Sequence, residues 1–289
     1  MEYSRKAYRL AGFILPALIT YAVFCLYPLL VSAYYSLLDW DGFAPPRFVL
    51  FDNFIELFHD KILFTTLKNG LVLVLYGVLL KLPLAMFFAV LVNQMKIRGA
   101  KFFRLVYFFP CIIATAAVAM MWSLIYNPQF GLLTFLLQRL GLSSRNWLAD
   151  YSIALHCVYL PTVFIGVGFN FVLYSSGLSM ISHELYEAAD IDGASFRQKV
   201  FLITIPLLRD VIVVSLILEF VGSLKTFDLV WILTGGGPAQ TTEQLATFMY
   251  RAAFQVGRFG YGSAISLVIF ILAFIYTIFL KSITRKEVI

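Results

Sequence analysis

Charge is what this sequence has least of. Asp, Glu, Lys and Arg make up only 13% of its 289 residues, against roughly a quarter in soluble domains. With 61% of residues hydrophobic, a soluble globular fold is excluded and a polytopic membrane protein is expected. Cysteine is scarce as well. Cys25, Cys111 and Cys157 each stand in an apolar run without pair spacing, which excludes a disulfide framework and leaves packed thiols. His59, His156 and His183 do not cluster with them, so no metal site is expected. A phosphate-binding Gly-x-x-x-x-Gly-Lys-Ser/Thr loop is lacking, as is a nucleophile motif. The chain is therefore not expected to hydrolyse ATP or to bind a cofactor.

What the sequence does hold is long apolar runs. They predict an all-α membrane domain occupying residues 1–289, with six spans at about 10–31, 69–92, 105–125, 153–177, 211–233 and 262–280. The first run is too long for a signal-peptide core and no small-residue cleavage site follows it, so it is expected to be retained. Pro16 and Pro28 should kink it. In the first loop, Phe51, Phe54, Ile55 and Phe58 have helical spacing. They predict a short amphipathic helix at the membrane surface or against the bundle. A second short helix is expected at 132–140.

Six spans put both termini on one side. Lys and Arg then number 13 on that side, including Arg5, Lys6, Arg9, Lys96, Arg98, Lys101 and Arg104, and 7 on the other. The positive-inside rule places the richer side, with both termini, in the cytoplasm. The net charge of +6 is thereby read as membrane anchoring, not nucleic-acid binding.

Between the fourth and fifth spans lies a polar island, about 178–207, on that cytoplasmic side. It contains Glu187-Ala188-Ala189, then Gly193 after three residues, then Ile203 after nine more, and Pro206. Leu185, Ala188 and Ala189 share one helical face, rimmed by Glu184, Glu187 and Asp190. Gly193 permits a sharp turn, and Ser195-x-x-Gln198 has the form of a capping box opening a second helix. Two helices joined at a glycine make a compact knob.

This pattern resembles the EAA loop of the membrane subunits of binding-protein-dependent ABC importers, with Ile205 where the family has Leu. The resemblance continues through Leu15-Pro16-Ala17, Tyr27-Pro28, Phe227-Asp228, Thr234-Gly235-Gly236-Gly237-Pro238, Tyr250, Ala253-Phe254 and Gly260-Tyr261-Gly262-Ser263-Ala264. It is similar to the sugar-importing branch, of maltose and glycerol-phosphate type, and covers nearly the whole chain. The extra N-terminal spans and large outer insertion of the larger maltose-type chain are not here.

The resemblance implies a type I importer permease in a bacterial plasma (inner) membrane. Its implied partners are a second permease, two cytoplasmic ATPase subunits that bind the ATP and Mg, and an extracytoplasmic solute-binding protein. It implies ATPase coupling through Glu184, Glu187, Ala188, Ala189, Asp192, Gly193 and Ala194. Aligned on Pro110, the EAA motif and the glycine-rich turn, the family's carbohydrate pathway falls on Cys111 and Thr115, on Thr162, Gly166 and Phe169, and on Ser223 and Thr226. The family often carries amides at these places where this chain offers hydroxyls. Each residue also has a plainer reading: hydroxyls in membrane helices bond their own backbone, and a Phe in a span packs.

Lys81 and Glu219 are costly charges inside expected spans, able to neutralise each other across spans or to meet a partner subunit, while Lys225 and Asp228, spaced i, i+3, could pair on one helix. Buried carboxylates would also suit a proton-coupled secondary transporter of a small polar solute, but that class predicts an inverted repeat, and none is visible. The charge asymmetry gives a direct test. Single cysteines at Ser144 and Gln240 should react with a membrane-impermeant thiol reagent in intact cells, and those at Gln198 and Thr284 should not. Reversed labelling would overturn the orientation.

Overall fold

The computed structural model describes residues 14–94 and 99–285. Arg5, Lys6, Arg9, Lys96, Arg98 and Lys286, and the start of the expected first span, lie outside them. The helices in chain order are α1 Ile14–Tyr35, α2 Asp52–His59, α3 Lys61–Asn93, α4 Ala100–Ile112, α5 Thr115–Ile125, α6 Leu132–Arg139, α7 Ala154–Leu178 and α8 His183–Ile191. They continue with α9 Phe196–Leu207, α10 Arg209–Leu224, α11 Asp228–Leu233, α12 Leu245–Tyr250 and α13 Phe259–Arg285. A short hairpin pairs β1, Leu38–Asp39, antiparallel with β2, Arg47–Phe48.

Four of these helices, α1, α3, α7 and α13, are long and apolar enough to cross a bilayer. Two bent pairs, α4 with α5 at 94° and α9 with α10 at 69°, bring the number to six if each pair is one span. The expected third span, 105–125, is thus two helices: Ile113 and Ala114 between them are extended, with ψ of 135° and 132°. The expected fifth span, 211–233, also breaks. The carbonyl of Gly222 accepts from the Lys225 N–H and the Thr226 hydroxyl. A tightened last turn with a side-chain donor ends α10 there.

Three helices, α1, α3 and α9, contain a π turn just ahead of a proline. In each, the residue before the proline donates five residues back: Tyr27 to Ala22 before Pro28, Leu82 to Gly77 before Pro83, and Ile205 to Val200 before Pro206. Proline has no N–H and its ring crowds the carbonyl four residues earlier. The wider turn absorbs that conflict without breaking the helix.

The chain gathers into two compact units. One comprises Met1–Asp60 and Phe248–Phe270. In it α2 buries Asn53 and Leu57 and exposes Ile55 and Phe58, with Phe51 exposed just before its first residue. Asn53 donates to the carbonyls of Ser36 and Leu38, both at 2.9 Å, just past the end of α1. Arg258 grips both Glu56 oxygens at 2.6 and 2.5 Å. The hydrogen bond from that guanidinium, more than its charge alone, holds the Glu56 carboxyl below its usual range.

The other unit comprises Lys61–Thr247 and Ile271–Ile289, and α7 runs through its middle. The later half of α3 packs on it through Ala85, Ala89, Val90 and Val92, against Phe171, Tyr174 and Leu178, with Leu208, just ahead of α10, in the same cluster. The earlier half of α3, with α5 and α11, packs on it through Leu73, Ala119, Leu229 and Val230, against Val158 and Tyr159. Small residues allow this approach in lipid, where close van der Waals contact drives helix association. At Gly168 backbone meets backbone, since a Cβ there would run into the carbonyl of Tyr107 on α4. Gly168→Leu should therefore destabilise the fold by about 1–3 kcal/mol, read as a lower midpoint of thermal aggregation in detergent. An unchanged midpoint would show that α4 and α7 have slack.

Candidate functional site

The helix approaches leave a cavity of about 330 Å³ among α3, α5, α7, α10 and α11. Thr115, Thr162, Gly166, Ser223 and Thr226 line it, with Lys81 and Glu219 and the apolar Leu73, Ile165, Leu218 and Leu229. Five residues read from the sequence as pathway positions, drawn from three spans, therefore meet in one place. Cys111 and Phe169 do not line it. Cys111 lies on α4, across the 94° bend from Thr115. Phe169 is half exposed, one turn beyond Gly166 on α7.

Lys81 and Glu219 form an ion pair across the cavity wall, their side chains 13% and 3% exposed. Two glycines make room for it. A Cβ at Gly77 would collide with the Glu219 carboxylate, and one at Gly166 would collide with the Lys81 methylenes. Lys81 closes the π turn that precedes Pro83, so the proline-driven change of helical register sets where its side chain leaves α3. Sequence alone marked both charges as expensive and offered two outcomes, mutual pairing or contact with a partner subunit; the first is formed.

The hydroxyls are partly committed. Thr162 donates to the Tyr159 carbonyl at 2.6 Å, Ser223 to the Glu219 carbonyl at 2.8 Å, and Thr226 to the Gly222 carbonyl at 3.0 Å. These bonds use the hydroxyl protons and leave lone pairs facing the cavity, so the three groups act there as acceptors. The Lys225–Asp228 pairing expected from spacing is not formed, because α10 ends at Leu224 and the intervening residues leave helical geometry.

A buried polar network beside the glycine-rich turn had no sequence signal beyond an Asn in an apolar run. Asn69 donates to the carbonyls of Thr241 and Glu243, each at 2.9 Å. Its own carbonyl accepts from the Tyr159 hydroxyl, to which Gln244 donates at 3.2 Å. Thr234 and Thr242 share a hydrogen bond of 2.7 Å. Thr242, Gln244 and Thr247 are at most 1% exposed. The stretch after the Gly-rich turn is thus tied to α3 through the Thr241 and Glu243 carbonyls and to α7 through the Gln244 side chain.

The polar island folds as the expected two-helix knob. Ser182 caps α8. At its other end Gly193 has φ +74°, with Gly193 N–H donating to Asp190 at 3.1 Å and Ala194 N–H to Ala189 at 2.9 Å. These two hydrogen bonds close the helix as a Schellman motif. The Ser195–Gln198 capping box opens α9. Asp190 pairs with Lys199 at 2.5 Å and Tyr186 meets Thr204 at 3.0 Å, fixing α8 against α9. Ala189 is buried, whereas Glu184, Glu187, Ala188, Asp192 and Gly193 are exposed, Ala194 is half-buried, and Ile191 is 87% exposed. The knob presents an apolar tip with an acidic rim.

Such a chain, with helices broken around a polar cavity and a rigid two-helix knob between spans, has the build of a transporter's membrane component. Residues 81–287 match the family described as binding-protein-dependent transport system inner membrane component, and the chain belongs to that family. A probable ABC transporter permease protein, YurN of Bacillus subtilis, is 35% identical over 264 residues, 90% of each chain. The trehalose/maltose transport system permease protein MalF of Thermococcus litoralis is 34% identical over 268 residues, 92% of this chain and 90% of its own. A crystal structure of a bacterial ABC transporter involved in import of the acidic polysaccharide alginate superposes with TM-score 0.86 at 22% identity, over 100% of this chain and 99% of that one. The fold is that of a type I importer permease. The chain is a permease subunit, not itself an enzyme.

The knob yields a sharp test. Nothing lies within 4 Å of where a Cβ on Gly193 would stand, so Gly193→Asp would not clash. Its cost would come from the left-handed backbone, about 1 kcal/mol or more, and from an added charge on the exposed turn. The permease should still insert and fold, while retention of the cognate ATPase in pull-down and uptake by the assembled importer both fall at least tenfold. Normal pull-down with full uptake would show that the knob is not the docking element.

Proposed function

We propose that this chain forms half of the translocation pathway of an ATP-driven carbohydrate importer in a bacterial plasma membrane. It would pair with a second, different permease. Its α8–α9 knob, through Glu184, Glu187, Ala188, Ala189, Asp192, Gly193 and Ala194, would sit in a cytoplasmic ATPase subunit. ATP and Mg would be bound by that subunit and none by this chain. A solute-binding protein outside would deliver the ligand, and both termini would lie in the cytoplasm, as the basic excess suggests.

The observation that carries the reading is the cavity. Thr115, Thr162, Gly166, Ser223 and Thr226 gather there from three spans, and hydroxyl lone pairs on apolar walls are what a polyhydroxylated ligand can bind. Carbohydrate as cargo is further supported by the relative named for trehalose and maltose transport. Thr162→Val with Ser223→Ala removes two acceptors at nearly constant volume. We expect uptake by the reconstituted importer to fall about tenfold or more, as losing two hydrogen bonds of ~1 kcal/mol each implies, with the complex still assembling. Wild-type uptake in that variant would place the ligand path elsewhere. Co-purification of the binding protein with its bound ligand would identify the cargo.

A further inference from the structure

The Lys81–Glu219 pair is unexplained as packing. A buried ion pair is often no better for stability than a hydrophobic pair of the same volume. This one also requires bare positions at Gly77 and Gly166, on two helices, to fit at all. It stands in the wall of a cavity, not in the core on either side of it.

The hydrogen-bond inventory of that cavity is lopsided. Thr162, Ser223 and Thr226 have their protons on their own backbone and offer acceptors only. A polyhydroxylated ligand brings both hydroxyl donors and ring or hydroxyl oxygens that accept. The Lys81 ammonium carries three N–H donors and cannot accept, and Thr115 can add one more. The Glu219 carboxylate has lone pairs left beyond the ion pair. It can take the two hydroxyls of a vicinal diol while Lys81 donates to a neighbouring oxygen.

The pair is also neutral as a unit. A ligand carboxylate would have to share Lys81 with Glu219 at close range where water is scarce, and like charges there repel strongly.

We infer that Lys81, charge-balanced by Glu219, is the principal hydrogen-bond donor of the cavity and sets it for an uncharged polyhydroxylated ligand. This inference rests on the carbohydrate-importer reading and deepens it, by naming the class of carbohydrate and a specificity-determining residue.

The test uses the complete importer, with its partner permease, ATPases and binding protein, in proteoliposomes. The probes are radiolabelled maltose and trehalose, which are neutral, and digalacturonate, which is acidic. The variants are Lys81→Met/Glu219→Leu, which replaces the pair by hydrocarbon, and Lys81→Arg, which keeps the cation. We expect wild type to carry a neutral probe and not digalacturonate. The Met/Leu variant should assemble with an unchanged or raised thermal midpoint, yet lose uptake of that probe tenfold or more. Lys81→Arg should stay within a few-fold of wild type.

Wild-type uptake by the Met/Leu variant would overturn the inference alone, since the importer would be intact and the pair mere packing. Carriage of digalacturonate in preference to the neutral probes would overturn the charge argument and leave the importer reading standing. A wild type that carries none of the three would count against a neutral disaccharide as cargo and overturn this inference, while the permease assignment, which rests on the family match, would stand.

Discussion

In hydrocarbon a backbone or side-chain polar group has no water to fall back on, and each unsatisfied one costs several kcal/mol. Much of this chain follows from that constraint. The N–H groups before Pro28, Pro83 and Pro206 each find a carbonyl five residues back. Thr162, Ser223 and Thr226 turn their protons onto neighbouring carbonyls. Asn69 takes up two carbonyls of the irregular stretch after the glycine-rich turn, which would otherwise be a loop with orphaned groups next to spanning helices. Lys81 and Glu219 satisfy one another.

These local solutions also determine the architecture. The π turn at Gly77–Lys81 answers Pro83, and it brings Lys81 to face Glu219. The end of α10 is capped by the Thr226 hydroxyl, and that break keeps Ser223 and Thr226 at the cavity without running on as a straight helix. Ala85 and Ala89 and the bare Gly168 let α3 and α4 approach α7, and the cavity is the space left where that approach stops. Packing and polar satisfaction therefore place the same residues.

Much of this was legible in the sequence because the signals were local or compositional. Low charge gave the membrane, and apolar runs gave α7 and α13 to within a few residues. The knob was readable in detail, since Ser195-x-x-Gln198 and a glycine after Ala189 encode their structure over a few residues. The two bends were not readable. Ile113 and Ala114 are ordinary helix formers in an apolar run, and their extended backbone is a tertiary outcome. The end of α10 depends on which carbonyl the Thr226 hydroxyl chooses. Lys225 and Asp228 do not pair for the same reason, because a spacing of three means facing partners only while the helix continues. The pairing of Lys81 with Glu219 joins residues 138 positions apart in sequence, and periodicity carries no information at that range.

The position of α10 ties the knob to the cavity. Its first residue follows Leu208, which is 1% exposed and packed in the same cluster as Ala85, Ala89 and Tyr174. On the knob side of Leu208, α9 is held to α8 by Asp190–Lys199 and Tyr186–Thr204. On the other side, α10 carries Glu219 and Ser223 into the cavity wall. Close-packed interiors do not deform continuously; they shift as bodies. A push on the rigid knob therefore reaches the cavity through the buried bend at Leu208, and any resulting shift of α10 must either carry Lys81 with it or separate the pair. Because separating a buried pair costs several kcal/mol, the arrangement favours moving α3 and α10 together. The ion pair then belongs to the moving body as much as to the proposed ligand site.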